Sequence, residues 1–281
     1  MAAGVVLVGG RSSRMGTPKA SLEWHGSTLL RRTLGVLARA IDGPLLVVRA
    51  AHQPLPEIPP QVGVVEDAEE GQGPLQGIST GLATLAGRAQ AAFVCSTDLP
   101  FLHPAFVRRV LGALTSDLDA VLPVASGYPQ PLAAAYRIGL APLIAELVAA
   151  GDLRPALLLR HRSCRTLRLD DAALLADPIL AAADPALHSV VNVNSPDDYR
   201  TARRQPAPEI TVHCDGTLAR NGHCGPLTIR AATLSAAAGA VGITLGGRVI
   251  AALNGDQIGR DDYVPLAHGD TVTFRFADAG G

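Results

Sequence analysis

Residues 1–200 alternate short, unbroken apolar runs with longer stretches in which apolar side chains return every three or four positions. The runs "GVVLV" (4–8), "PLLVV" (44–48), "VGVVE" (62–66) and "AAFVC" (91–95) are too short for helices, so they predict buried strands. "TLLRRTLGVLARA" (28–40) has helical spacing, with Ser27 or Thr28 as its cap, and helical stretches follow at 75–87 and 104–114. "DAVLP" (119–123) and "LAAAY" (132–136) predict two more strands. This rhythm predicts an α/β fold, a doubly wound, mostly parallel sheet with helices on both faces. Ligands of such sheets sit at the carboxyl ends of the strands. Residues 140–190, rich in Ala and Leu, predict helices and little else. "VVNVNSPDDY" (190–199) predicts a short strand, then a turn opening a helix at Ser195-Pro196 with acids in its first turn.

The pattern changes at "ARRQPAPE" (202–209), where Pro206 and Pro208 separate a helix end from a new strand. Residues 1–204 are therefore expected to form one domain, 205–208 a linker and 209–281 a second domain. In the second, "EITVHC" (209–214) and "GPLTIR" (225–230) predict a hairpin and "TLSAAAGAVG" (233–242) a short helix. "RVIAALNGDQI" (248–258) holds a strand and an Asn-Gly turn, and the strictly alternating "DTVTFRF" (270–276) is a final strand. The order β-β-α-β-β suits a small α+β fold of β-grasp type, followed by Gly280-Gly281.

Composition narrows the function classes. At 48% hydrophobic and 17% charged, the 281-residue chain is globular. A net charge of -1 offers no general attraction to nucleic acid or to a membrane, so a polyanionic ligand must be held by local groups. The apolar start lacks a basic n-region, and no run of about 18 apolar residues occurs, so neither a secretory signal nor a membrane span is expected. Cys95, Cys164, Cys214 and Cys224 form no CxxC pair, which fits reduced thiols in a cytoplasmic protein. His213-Cys214 and His223-Cys224 recur at a ten-residue interval, but the two members of a pair point to opposite strand faces and make a poor metal site.

Candidate chemistry is concentrated after the first strand. There the chain reads Gly9, Gly10, Arg11, Ser12, Ser13, Arg14, Met15, Gly16, Thr17, Pro18, Lys19, and Lys19 is the one lysine among 24 Lys+Arg. Glycines let backbone N–H groups approach an anion, and Arg14 and Lys19 add positive charge, so the segment predicts a triphosphate cradle. Neither the Walker spacing nor the dinucleotide fingerprint is present. Lysine suits the position because a compact charge on a flexible stem follows a phosphate as its charge shifts, whereas arginine's flat fork favours a fixed two-point contact. Asp67 follows a strand and precedes the "GPLQG" turn, and Asp98 in "CSTDLP" lies just past a buried strand, facing the expected crevice. One well-placed carboxylate is enough for Mg²⁺ bound mainly through phosphate oxygens.

These segments resemble the molybdenum-cofactor guanylyltransferase (MobA-type) family. The opening L-A-G-G-x-x-x-R-M-G with its following lysine is matched apart from Val8 in place of alanine, and Gly10 resembles the guanine-using branch. Asp67 with G-P-L-x-G, Asp98 with its Pro100, and N-V-N-S-P at 192–196 also match. The resemblance implies a Rossmann-like nucleotidyltransferase that binds nucleotide through Leu7, Val8, Gly9, Gly10, Lys19, Asp67 and Asp98. Arg14, Lys19 and Mg²⁺ on Asp98 would carry the transfer of GMP from GTP to the terminal phosphate of molybdopterin, with release of pyrophosphate. Asn192 and Asn194 would reach the pterin, although asparagines in turns also bond local backbone. Gln130 is a further acceptor-side candidate, equally readable as structural. Arg49 stands where the family often has asparagine. A CTP- or sugar-phosphate-using nucleotidyltransferase is the competing assignment.

The second region resembles the MoaD/ThiS-like, ubiquitin-fold sulfur carriers of molybdopterin and thiamine synthesis through Asn254, Gly255, Leu266, Gly269, Asp270 and Val272. That resemblance implies a tail, Gly280-Gly281, adenylated by an E1-like partner and converted to a thiocarboxylate. A docking module that is never thiolated is the alternative.

Overall fold

The computed structural model describes residues 1–8, 18–67, 73–215, 226–246, 248–259 and 261–276. Gly9, Gly10 and Arg14, the His223-Cys224 pair, and Gly280-Gly281 lie outside the described residues. The chain divides into two compact units, Met1–Leu22 with Thr28–Tyr199, and Glu23–Ser27 with Arg200–Gly281.

The first unit is built on an eight-stranded sheet. Its strands are β1 (Ala2–Leu7), β2 (Leu45–Ala50), β3 (Gly63–Asp67), β4 (Ala91–Ser96), β5 (Ala120–Ala125), β6 (Ala133–Arg137) and β7 (Thr166–Asp170). The order is β7-β5-β6-β4-β1-β2-β3, with the two-residue strand Tyr128–Pro129 beside β5. β1 runs parallel to β2 and β4, β2 to β3, and β5 to β7, while β6 is antiparallel to β4 and β5. Six of these strands are where the apolar runs predict them. β7 lies in the stretch that predicts helices alone; as an edge strand it buries Leu169 and little else, too short a pattern to stand out.

Four helices flank the central strands: α1 (Leu29–Ala38), α2 (Gly73–Thr84), α3 (Pro104–Gly112) and α4 (Ala141–Ala149). Thr28 caps α1 by accepting from the Arg31 N–H at 3.2 Å. β1 shows why its sequence is an unbroken apolar run. Val6 and Val8 enter a core with Leu34 of α1 and Phe106 of α3, while Ala3, Val5 and Leu7 enter a second core with Ile78 of α2 and Ile144 of α4. A strand covered on both faces has no polar side to show.

α2 lies close upon β1. A Cβ on Gly81 would stand 2.8 Å from Val5 Cγ1 and 3.4 Å from Val48 Cγ2. Gly81→Ala gains about 1 kcal/mol of helix propensity and loses about 1–3 kcal/mol to overpacking. Val5 and Val48 are buried in the sheet centre and cannot swing aside, so the loss wins. The urea midpoint should fall with an unchanged slope; a midpoint equal to the parent's or higher would show that the helix has room to shift.

Residues 190–195 hold no strand, contrary to the sequence pattern. A 3-10 turn at His188–Val190 leads into an irregular loop and then α5 (Pro196–Arg203). Val190 and Val193 are buried as anchors, and the Val193 N–H is taken by the Asp98 carbonyl at 2.9 Å instead of a ladder.

The second unit contains β8 (Glu209–Cys214), β9 (Leu227–Arg230), α6 (Leu234–Ala240), β10 (Val249–Leu253), β11 (Asp256–Ile258) and β12 (Thr271–Phe276). The sheet order is β9-β8-β12-β10-β11, with β8 and β12 parallel and the other pairs antiparallel. Asn254 and Gly255 both have positive φ, 54° and 93°, the two-residue type I′ turn that Asn-Gly favours. That turn adds β11, one strand beyond the predicted order. Behind it, Asp270 accepts from Asn254 Nδ2 at 2.9 Å and from the Ala267 N–H at 2.7 Å, and Asn254 Oδ1 accepts from the Thr271 N–H at 2.8 Å. Among the described residues, no helix is long and apolar enough to cross a membrane.

Candidate active site

The site is centred just beyond the carboxyl end of β4, where Lys19, Asp98 and Asn194 meet. Lys19 begins a single 3-10 turn, Lys19–Ser21, directly after Pro18. The Ser21 N–H reaches the Pro18 carbonyl at 3.0 Å, and buried Ala20 anchors the turn. The Lys19 ammonium then donates to Asp98 Oδ2 at 3.1 Å and to Asn194 Oδ1 at 3.0 Å. Three segments far apart in sequence thus meet at one cation.

Asp98 lies two residues beyond β4. Its Oδ1 accepts from the Ser96 hydroxyl, and its carbonyl accepts from the Val193 N–H. The following turn is held by buried Arg32, whose Nε donates to the Pro100 carbonyl at 2.8 Å. The Lys19 and Asp98 side chains are 22% and 16% exposed. Water still screens such a pair, so it adds at most about 1 kcal/mol to stability. Its importance is where it places charge. Cys95, on β4, is fully buried; burial, with the nearby Asp98 charge, pushes its thiol well above the usual range.

Asn194 is presented by a capping box. Ser195 Oγ accepts from the Asp198 N–H at 3.1 Å, and Asp198 Oδ2 accepts from the N–H groups of Ser195 and Asn194 at 2.9 and 3.0 Å. The Ser195 side chain first, then these N–H groups and the Lys19 charge, hold the Asp198 carboxyl below its ordinary value. A lowered folded value means that the cap's contribution is complete above the ordinary carboxylate range and is lost as the pH falls through that lowered value. Asp198→Asn should therefore flatten the acid limb of a Tm-against-pH curve. An unchanged acid limb would remove Asp198 from the cap.

Asp67 ends β3 and accepts from Thr80 Oγ1 of α2 at 3.1 Å. A Cβ on Gly77 would stand 3.3 Å from Leu7 Cδ2 and at an ordinary contact distance, 3.7 Å, from Asp67 Oδ2, so the glycine serves the close packing of α2 on β1. Leu7 and Val8 are buried, and the Val8 N–H donates to the Val48 carbonyl at 2.8 Å. Asn192 is not drawn to the cation: its Nδ2 donates to the Val190 carbonyl at 3.2 Å, within its own loop. Arg49, at the end of β2, is tied to the Gln53 carbonyl at 2.7 Å and to Glu66 at 2.8 Å. Gln130 donates to the Tyr128 carbonyl at 3.2 Å, also locally. Ser96, Arg32, Thr80 and Asp198 were not singled out by sequence reasoning. The Ser195-x-x-Asp198 spacing was a readable signal for the cap; Ser96, a lone polar residue at a strand end, offered none.

In such sheets ligands bind at the carboxyl ends of the strands, where Lys19 and Asp98 converge. Comparison with known proteins makes the class definite: the protein is a nucleotidyltransferase. The profile of the MobA-like NTP transferase domain matches residues 4–166, more than half of the chain, and the chain belongs to that family. It is 38% identical over 188 residues to the probable molybdenum cofactor guanylyltransferase of Mycobacterium ulcerans, covering 66% of this chain and 92% of that protein. The protein of the same name from Mycobacterium marinum is equally similar, with the same coverage. Among solved structures, molybdopterin-guanine dinucleotide biosynthesis protein A from Archaeoglobus fulgidus superposes with a TM-score of 0.54 at 21% identity, over 72% of this chain and 96% of that one. A Mycobacterium tuberculosis H37Rv protein solved in complex with manganese superposes with a TM-score of 0.51 at 21% identity, over 71% and 96%. At these identities the structural likeness speaks for the fold.

Proposed function

We propose that the first unit transfers GMP from GTP to the terminal phosphate of molybdopterin and releases pyrophosphate, in the cytoplasm. One observation carries this: Lys19, Asp98 and Asn194 meet within hydrogen-bonding distance where the strands end. The name shared by the mycobacterial relatives supports guanine nucleotide and molybdenum cofactor as the substrate pair.

The acceptor phosphate is already an anion at neutral pH, so attack on the α-phosphorus needs no general base. Positioning and charge neutralisation are what the chain supplies. Lys19, shared between Asp98 on the nucleotide side and Asn194 on the acceptor side, follows the charge as it moves to the leaving pyrophosphate. Arg14 and the N–H groups of Gly9 and Gly10 cradle the triphosphate, Leu7, Val8 and Asp67 border the nucleotide, and Asn192 extends the pterin side. Asp98 would hold Mg²⁺, for which one carboxylate beside substrate phosphate oxygens is enough. The hard oxygen donor suits that ion, and among the described residues no group of three or more His, Cys, Asp or Glu side chains forms a metal cage of its own. Bound Mg²⁺ neutralises phosphate charge. Pyrophosphate release is to be measured with purified molybdopterin and either GTP or CTP. GTP-dependent release supports the assignment; a preference for CTP, or release only with a sugar phosphate, replaces it.

We further propose that residues 209–281, beyond a linker at 205–208, are a ubiquitin-like sulfur carrier. The sheet order, with its central parallel pair and a helix between β9 and β10, supports a β-grasp fold. Gly281 would be adenylated by an E1-like enzyme and thiocarboxylated. Intact-mass measurement of cell-derived protein tests this: replacement of one oxygen by sulfur at the terminus is expected, and its absence in the presence of the activating enzyme favours a docking module.

A further inference from the structure

We infer that Ser96 is a positioning residue that fixes the Asp98 carboxylate for the divalent ion, an inference resting on the proposed role of Asp98. The two carboxylate oxygens are not equivalent in this structure. Oδ2 faces Lys19 at 3.1 Å, and Oδ1 accepts the Ser96 hydroxyl. Asp98 itself lies beyond the strand, where two side-chain torsions could swing its carboxylate. Ser96 is different. It is the last residue of β4, in register with Leu7 of β1, and its N–H donates to the Leu132 carbonyl at 3.3 Å. The central sheet thus fixes the Cα–Cβ direction of Ser96 and leaves its hydroxyl oxygen a single torsion.

Beside an ionised carboxylate the Ser96 hydroxyl can only donate, so it occupies a lone pair of Oδ1 and leaves Oδ2 to cationic partners. Lys19 already shows that Oδ2 is the oxygen offered to positive charge. Ser96 therefore acts through Asp98, as hydrogen-bond partners of ligating carboxylates do, where loss of the partner costs about 10- to 100-fold in metal affinity.

The test is Mn²⁺ binding by full-length protein in the presence of α,β-methylene-GTP, followed by electron paramagnetic resonance, for the parent, Asp98→Asn, Ser96→Ala and Ser96→Thr. Asp98→Asn should lose the bound-ion signal. Ser96→Ala should weaken Mn²⁺ binding about 10-fold, and Ser96→Thr, which keeps the hydroxyl, should restore it. In turnover, Ser96→Ala should raise the metal concentration needed for half-maximal rate more than it lowers kcat at saturating metal. If Ser96→Ala shifts the urea midpoint, Ser96→Cys, nearly isosteric but a weak donor, takes its place. Mn²⁺ binding lost in Asp98→Asn but at parental strength in Ser96→Ala overturns this inference alone. Parental Mn²⁺ binding in Asp98→Asn overturns the reading of Asp98, and the inference with it.

Discussion

Lys19→Ala lowers kcat/KM for GTP by about 100- to 1,000-fold, the usual cost of removing one preorganised group that meets charge developing in a transition state. The loss should be mainly in kcat, because the ammonium is needed most when negative charge passes from the α-phosphorus to pyrophosphate. The fold should survive. The Lys19–Asp98 pair is partly solvated, and the turn that carries it is held by Ala20 and backbone hydrogen bonds that the substitution leaves in place. A urea midpoint close to the parent's, beside a collapsed rate, is the expected pair of results. Lys19→Arg should recover little, since a planar fork must satisfy Asp98 Oδ2 and Asn194 Oδ1 from a different distance and angle. Nucleotide transfer by Lys19→Ala at the parental rate would mean that the site is misplaced.

Asp270→Ala destabilises the second unit by about 1–3 kcal/mol, the range for leaving a buried donor without its acceptor. Asp270 is 4% exposed and serves Asn254 Nδ2 and the Ala267 N–H, both of which lose their acceptor. Asn254→Ala removes a smaller share. The double variant should fall short of the sum, because both residues belong to one network that joins the β10–β11 turn to the start of β12. Amide hydrogen exchange over Val249–Leu253 and Thr271–Phe276 reads the effect locally. Parental protection in Asp270→Ala would show that the network is dispensable. The N-G and G-D motifs of this region are thus structural devices: one makes the turn, the other fastens it.

The sequence alone determined the rhythm of the first unit. β1 to β6 and α1 to α3 follow from apolar runs and helical spacing, because strands buried on both faces leave no other pattern. Lys19, Asp98 and Asn194 could each be picked out singly, from a glycine-rich segment, a strand end and a helix start. Tertiary structure decided the rest. β7 is an edge strand with little to bury, Val190 and Val193 anchor a loop where alternation implied a strand, and Asn192 turns back to its own backbone while Asn194 does not. Above all, the meeting of Lys19 with residues 79 and 175 positions away is a product of tertiary structure: sheet order sets β1 beside β4, and the Val193 N–H on the Asp98 carbonyl brings in the loop that carries Asn194. Periodicity records which face of an element is dry; it carries no information on which strand ends lie side by side, and that adjacency is what gathers the charges.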